Sequence, residues 1–368
     1  MILSSSYAAA DTLAPIVVQA DSESDIGEVQ VGDVVLEEYT GSHQRIEREE
    51  LRRPGASLGE SLAFEAGVQH SQAGAEGSYS AVTLRGANSA QTPVYWDGIR
   101  LNGAAQPSVD LSDLELLNLD TVDIYRGSSP QQLGGGIGGA VALNSPRTQG
   151  QSITARLQKG SYGSQGLQLG YAKGNQNWQS NTVLSHRKAD NNFTLVNDNG
   201  TEYNPDDDKK EHRNNAHFER NALLSKLSFS RTENERYDLS VQHTERDTGV
   251  PEWRNKKNNQ ASFDTRTTLL QLNQRLTAVS DSNWNTRLGA HAQQRREIYD
   301  DRLSQVGLGA QHSRSLSDSH GLDAYGEHIG DMGTFALQAE LRDEKLRSDD
   351  WIDDVRSSAK RREHNFHA

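Results

Sequence analysis

From about residue 150 to its end, the chain alternates apolar and polar residues with a period of two. Ile153, Ala155 and Leu157 alternate with Thr154, Arg156 and Gln158, and Leu167, Leu169 and Tyr171 with Gln168, Gly170 and Ala172. The same rhythm runs through 237–242, 284–292 and 335–342. A two-residue period sends one set of side chains to each face of a strand. Short turns such as Gly174-Asn175 and Ser280-Asp281-Ser282 trade places with long polar loops near 190–215 and 250–262. That alternation predicts antiparallel strands with tight turns at one end and large loops at the other. A soluble β-sandwich would alternate too. Here, however, the polar face carries Arg156, Arg287, Glu340 and Arg342 in mid-strand, and several runs reach ten residues or more. Strands of ~9–11 residues, apolar outside and polar inside, are the pattern of a transmembrane β-barrel with a wet or plugged lumen. The reading also accounts for a hydrophobic share of only 33% over 368 residues, against ~45–50% in ordinary soluble domains.

Several classes are excluded. No run approaches the ~20 apolar residues of a membrane-spanning helix. Without a single cysteine, the chain has no disulfide scaffold, thiolate metal site or cysteine nucleophile. The net charge of −13 is concentrated at one end: residues 1–125 hold 20 acidic and 6 basic residues, and 126–368 hold 31 and 32. Nucleic acid is an unfit partner for such a balance. The two regions are built on different plans.

Residues 31–148 read as a small mixed α+β domain. Val34–Leu36 is a short strand, Arg45–Arg53 a charged helix, and Ser57–Glu65 a second helix with Ser57 and Glu60 spaced as a capping box and Gly67 at its exit. Strand patterns follow at 82–86, 94–96, 99–101, 122–125 and 140–143, with Asp97-Gly98 as the turn of a hairpin. Ahead of this domain, Met1–Ala10 looks like the tail of a secretory leader. Asp11–Ala20 is a short β-prone run before an acidic linker, suited to adding as a strand to a partner's sheet edge.

Gly134–Gly139 satisfies G-x-G-x-x-G, but a strand pattern follows it instead of a helix. No Asp or Glu occurs between Asp123 and Asp190, so a dinucleotide site is not expected. No catalytic constellation is present, neither an enzyme activity nor a resident cofactor is expected, and the 12 histidines are scattered. Asp206, Asp207 and Asp208 form the one weak candidate for a cation-binding loop, with Lys209-Lys210 directly behind them.

These residues resemble the TonB-dependent outer-membrane receptors, in their N-terminal plug domain and the first part of their barrel. The run Asp11, Thr12, Leu13, Ala14, Pro15, Ile16, Val17, Val18, Gln19 and Ala20 looks like a TonB box. Leu58–Leu62 looks like the first plug helix. Val82–Gly86 followed by Val94–Gly103, then Val122–Gly127 and Gly134–Leu143, resembles the plug's later strands in the family's order. The departures are Asp123 where the family usually carries Glu, and Ser128-Ser129 ahead of Pro130.

The resemblance implies a domain plan: 1–10 remnant leader, 11–30 box and linker, 31–148 plug, 149–368 barrel strands. It implies a fold of a mixed α+β plug domain followed by antiparallel transmembrane β-barrel strands. The 218 residues after 150 have room for ten or eleven strands, about half of a 22-stranded barrel, so an N-terminal piece of a longer receptor is expected. Implied partners are periplasmic TonB, outer-membrane lipid and a scarce metal chelate, a ferric siderophore or cobalamin. Implied plug motifs are Arg85, Gly86, Asp97, Gly98, Arg126, Gly127, Gly138 and Gly139, with Arg85 and Arg126 as ion-pair or plug-to-barrel candidates. Gly77, Ser78, Tyr79, Asn102 and Gln106 are the candidate substrate-facing loop residues. An adhesin-like, non-transporting surface binding protein is the alternative.

Overall fold

The computed structural model describes residues 16–19, 41–51, 57–127, 129–130, 133–134, 136–201, 203–277, 283–330 and 333–367. The leader reading at 1–10, the strand at 34–36, and Asp11–Pro15 and Ala20 of the box reading lie outside them.

In chain order the first elements are β1 (Ile16–Gln19), β2 (Ser42–Glu47), α1 (Arg48–Leu51), α2 (Leu58–Leu62), β3 (Val68–Gln72), β4 (Ser80–Leu84), β5 (Val94–Trp96) and β6 (Ile99–Arg100). β7 (Thr121–Arg126) and β8 (Gly139–Asn144) complete the N-terminal domain. Its five-stranded sheet has the order β2-β7-β8-β5-β6, with β5 and β8 parallel, and β3 and β4 form a separate hairpin. Leu58, Leu62, Leu84, Trp96, Leu119, Val122, Ile124, Val141 and Leu143 form one core, each at most 1% exposed.

Local chemistry explains these elements. Ser57 Oγ accepts the Glu60 N–H while Glu60 Oε2 accepts the Ser57 N–H, the reciprocal cap expected from the spacing. Asp97 and Gly98 both have positive φ, 49° and 86°, joining β5 to β6 by a two-residue turn. At Gly139 (φ 128°) the backbone passes so close to the Tyr125 carbonyl that a Cβ would overlap it. The charged helix expected at 45–53 is a correction. Arg45–Glu47 belong to β2, because Ile46 enters the core and pairs with Val122, and among the described residues of that run only Arg48–Leu51 is helical. Helix α2 is likewise shorter than the expected 57–65. The β3 strand carries one apolar residue in five and offered no pattern to read.

The second region is β9 (Gly150–Lys159), β10 (Gln165–Gly174), β11 (Trp178–Ala189), β12 (Thr194–Asn197), β13 (Lys209–His212), β14 (Phe218–Thr232), β15 (Glu235–Gly249), β16 (Ser262–Leu276), β17 (Trp284–Asp301), β18 (Gln311–Gly330), β19 (Gly333–Asp350) and β20 (Val355–His367). Ten of these form an antiparallel meander, β9-β10-β11-β14 through to β20. β12 and β13 make a hairpin inside the loop between β11 and β14, and β1 pairs antiparallel with the free edge of β9, Ile16 opposite Leu157. Short turns near 175–177 and 233–234 mark one end, and the loops at 190–217, 250–261 and 302–310 the other, as the alternation predicts.

Apolar side chains cover the sheet's outer face: Leu184, Leu272, Leu288 and Leu322 are each half exposed or more. Toward the short-turn end, Trp178, Phe229 and Tyr237 lie in a row, centroids 4.4 and 6.4 Å apart, and Trp284 opens β17 at the same end of the sheet. An apolar belt edged by aromatics is what a bilayer and its headgroup layer select. No helix of the described residues is long and apolar enough to cross a membrane.

Candidate functional site at the domain interface

The N-terminal domain rests against the polar face of the long sheet. The contact centres on Val109–Leu119, where sequence assigns each residue a side. Val109, Leu111, Leu116 and Leu119 turn into the domain core, and Asp110, Asp113 and Glu115 contact the sheet. Asp110 Oδ1 accepts the Ser80 and Ser112 N–H groups, both at 3.0 Å, capping the turn that follows.

Each carboxylate meets an arginine from a different strand. Arg246 of β15 donates to Asp110 Oδ2 at 2.8 Å and lies 3.2 Å from Asp113; both side chains of the Arg246–Asp110 pair are 2% exposed. Arg295 of β17 donates to Asp113 Oδ2 at 2.8 Å, and Arg220 of β14 to Glu115 Oε2 at 2.6 Å. Gln168 of β10 donates to the other Glu115 oxygen, and Arg220 and Arg246 also hold Ser112. Burial pushes the Asp113 carboxyl up, but Arg246 and Arg295 outweigh it and hold the group below the usual carboxylate range.

A second contact lies nearer the short-turn end. Asp97 accepts the Ser145 N–H (3.0 Å) and hydroxyl (2.6 Å) and an ammonium proton from Lys226 of β14 (3.0 Å). Burial raises this carboxyl, and Lys226 with the two Ser145 bonds lowers it further than burial raises it. A Cβ at Gly98 would run into the Arg287 guanidinium, so the turn glycine lets β17 approach. Burial pushes the neighbouring Tyr95 phenol up to about 12, which keeps it neutral.

The third contact holds the loop after β6. Arg342 of β19 donates to the Arg100 carbonyl at 2.8 Å and to that of Asn102, and Glu344 accepts the Ala104 N–H at 2.8 Å.

The expected site residues separate into groups. Gly77 lies beneath the Phe218 ring, and its neighbour Glu76 pairs with Arg187 (2.6 Å) and accepts the Ser164 hydroxyl (2.8 Å), which places 73–79 at the long-loop end. Ser78 closes the loop on the Ala75 carbonyl, and Tyr79 is 40% exposed. Gln106 closes the 103–106 turn through its carbonyl and is half-buried. Asn102 corrects the reading. It is 2% exposed, its amide accepts the Val94 N–H and donates to the Thr92 and Pro107 carbonyls, and it braces the loop from inside, facing no ligand space.

Arg85 and Arg126 also differ from the ion-pair expectation. Arg85 is exposed with φ 50° and its N–H closes on Gly67, while Arg126 donates to Gln44 at 2.6 Å; among the described residues neither reaches a carboxylate or the sheet. Gly86 and Gly127 follow them in positive-φ turns, and Gly138 backs onto the Leu84 carbonyl ahead of β8. Asp207 accepts the Thr201 hydroxyl, Asp206 and Asp208 are exposed, and no three metal-type ligands converge among the described residues. Sequence reading missed the Asp110–Glu115 contact. The available signal was the acidic excess of residues 1–125, which had the bland explanation of a solvated surface.

Comparison with known proteins agrees with this architecture. Residues 35–141 match the family model of the TonB-dependent Receptor Plug Domain. A vitamin B12 transporter, BtuB of Vibrio cholerae serotype O1, is 32% identical over 127 residues, 34% of this chain and 21% of the relative. The ferric citrate transporter FecA in its unliganded form aligns at a TM-score of 0.59 and 15% identity, over 89% of this chain and 60% of that one. The copper transporter OprC aligns at 0.66 and 14%, over 88% and 50%. These structural likenesses speak for the fold; the chain covers 50–60% of those structures, and its match covers 21% of the vitamin B12 transporter. Residues 35–141 are thus similar to the TonB-dependent receptor plug domain, and their seating on the polar face of an amphipathic antiparallel meander matches the fold of these transporters.

Proposed function

We propose that this chain is part of a TonB-dependent transporter that takes a scarce metal chelate, a ferric siderophore or cobalamin, across the outer membrane. The observation that carries this reading is the plug's seating: buried charge pairs fasten it to the inward face of strands whose opposite face is apolar. A domain held by polar contacts inside a membrane sheet obstructs passage and can be displaced without exposing a hydrophobic interface to water. In this reading residues 1–10 are a leader remnant, 11–30 the TonB box and linker, 31–148 the plug and 149–368 strands of a barrel that reaches 22 when whole. TonB pairs with residues 11–20 as an added strand and draws on the plug. The loops at 73–79 and 103–106 meet substrate at the outer end. The adhesin-like alternative has no observation in its favour.

The test uses the full-length receptor in cells. Outer-membrane fractions should give a band of heat-modifiable mobility, and deleting residues 11–20 should abolish chelate uptake while sparing surface binding. A soluble product, or loss of binding together with uptake, contradicts the reading.

A further inference from the structure

The arginines that fasten the plug form a row of their own. Arg187 on β11 stands directly opposite Arg220 on β14, which stands directly opposite Arg246 on β15. Arg295 on β17 lies two positions along from that row, opposite Thr267. Their side chains are 14, 7, 2 and 8% exposed. Like charges directly opposite on neighbouring strands repel, and burying them raises the cost. Beyond Arg246 the row continues through Thr265 to Glu297 of β17, which pairs with Arg295 at 2.8 Å and leaves Arg187, Arg220 and Arg246 without a carboxylate from the sheet. Their neutralisation comes from the plug, through Glu76, Glu115 and Asp110, while Arg295 is shared between the plug's Asp113 and Glu297 of its own strand. Even so, the buried Nε–H groups of Arg220 and Arg246 have no acceptor.

In the row Arg187–Arg220–Arg246, therefore, the cations belong to the wall and the anions to the plug. A fastening alone would be met at less cost by apolar contacts. Once the plug shifts, the guanidiniums of Arg187, Arg220 and Arg246 lose their carboxylates, two or three residues below the loop-end limits of β11, β14 and β15, roughly 7–10 Å down at ~3.4 Å per residue. Guanidinium forks at that depth match carboxylate or catecholate oxygens.

We propose that Arg187, Arg220 and Arg246 form an anion-binding station on the inner wall, occupied by plug carboxylates in the closed state and by a polyanionic metal chelate during passage. The proposal rests on the transport reading above and narrows its substrate to an anionic chelate, as opposed to a corrinoid.

Uptake and surface binding of ferric citrate, a ferric tris-catecholate and cyanocobalamin would be measured on cells making the full-length receptor. The informative variant neutralises both sides at once, Arg220→Gln with Glu115→Gln and Arg246→Gln with Asp110→Asn, so that no charge is left buried alone. At equal outer-membrane levels, anionic-chelate uptake should fall at least about tenfold with surface binding unchanged. Should that variant fail to reach the membrane, Arg220→Lys with Arg246→Lys keeps the charge, and uptake should stay within about threefold of the parent. Parental uptake in the neutralised variant, or a tenfold loss in the lysine variant, overturns the station and leaves the transport reading standing. Uptake of cyanocobalamin with no anionic chelate does the same. Uptake of none of the three overturns both.

Discussion

The plug and the strand region solve the burial problem in opposite directions. In the plug, Leu58, Leu84, Trp96 and Leu143 are sealed from solvent, and Asp110, Asp113 and Glu115 face the wall. In the strand region, Leu272, Leu288 and Leu322 are half exposed while Arg246, Arg287 and Arg342 are buried. Apolar surface is left uncovered where lipid is the solvent, and charge is buried where another charged domain fills the lumen. Composition alone conflates the two: a hydrophobic share of 33% suits a chain whose strands need only one apolar face.

The difference can be broken from either side. Truncating the plug core should have the largest effect. Trp96→Ala removes a fully buried indole and should cost about 3–5 kcal/mol, read as plug unfolding in denaturant while heat-modifiable mobility of the barrel persists. Arg246→Gln alone leaves Asp110 buried beside a neutral partner and should cost a similar 3–5 kcal/mol. Adding Asp110→Asn should recover most of the loss, and a double-mutant cycle in the same assay checks it. Leu288→Arg puts a charge on the outer apolar face and should cost about 2–4 kcal/mol if that face meets the bilayer midplane, seen as reduced insertion into liposomes. A soluble sandwich would tolerate it.

The charge contacts also set a pH response. Asp97 and Asp113 have carboxyl groups held below their ordinary range in the folded chain. Their contribution is therefore fully present above the unfolded carboxyl value, about 3.9, and is lost as pH falls through the lower folded values. Protease protection of the plug should hold at pH 5–7 and fail only in stronger acid, and Asp97→Asn should flatten the Asp97 part of that response. The smallest effect belongs to Ser57→Ala, about 1 kcal/mol through loss of the helix cap, measurable as a shift in the plug's denaturant midpoint.

What the sequence disclosed follows from the range of each interaction. The Ser57–Glu60 cap and the Asp97-Gly98 turn depend on neighbours three residues apart or fewer, and both were legible. Strands β9, β10, β15, β17 and β19 are legible because an apolar face and a polar face impose alternation on them, whereas the β12–β13 hairpin lies in a run that reads as polar loop. The β2 strand was misread as helix because its burial depends on Val122, 76 positions beyond Ile46. Asn102 was misread because an asparagine that braces a loop and one that greets a ligand look alike until Val94 and Pro107 are brought to it. The arginine row could not be read at all: Arg187, Arg220, Arg246 and Arg295 share a face only once the register of four strands is fixed.

The chain's lack of cysteine permits the most direct test of the central contrast. A spin label would be placed through Leu288→Cys, through its neighbour Arg287→Cys, and through the pair Leu337→Cys and Gln338→Cys in full-length receptor reconstituted in liposomes. Collision with lipid-soluble oxygen and with a water-soluble nickel chelate would then be compared. The account predicts oxygen-dominated collisions at 288 and 337 and shielding from both reagents at 287 and 338, where the plug covers the wall. Equal access of the nickel chelate to all four positions would contradict it.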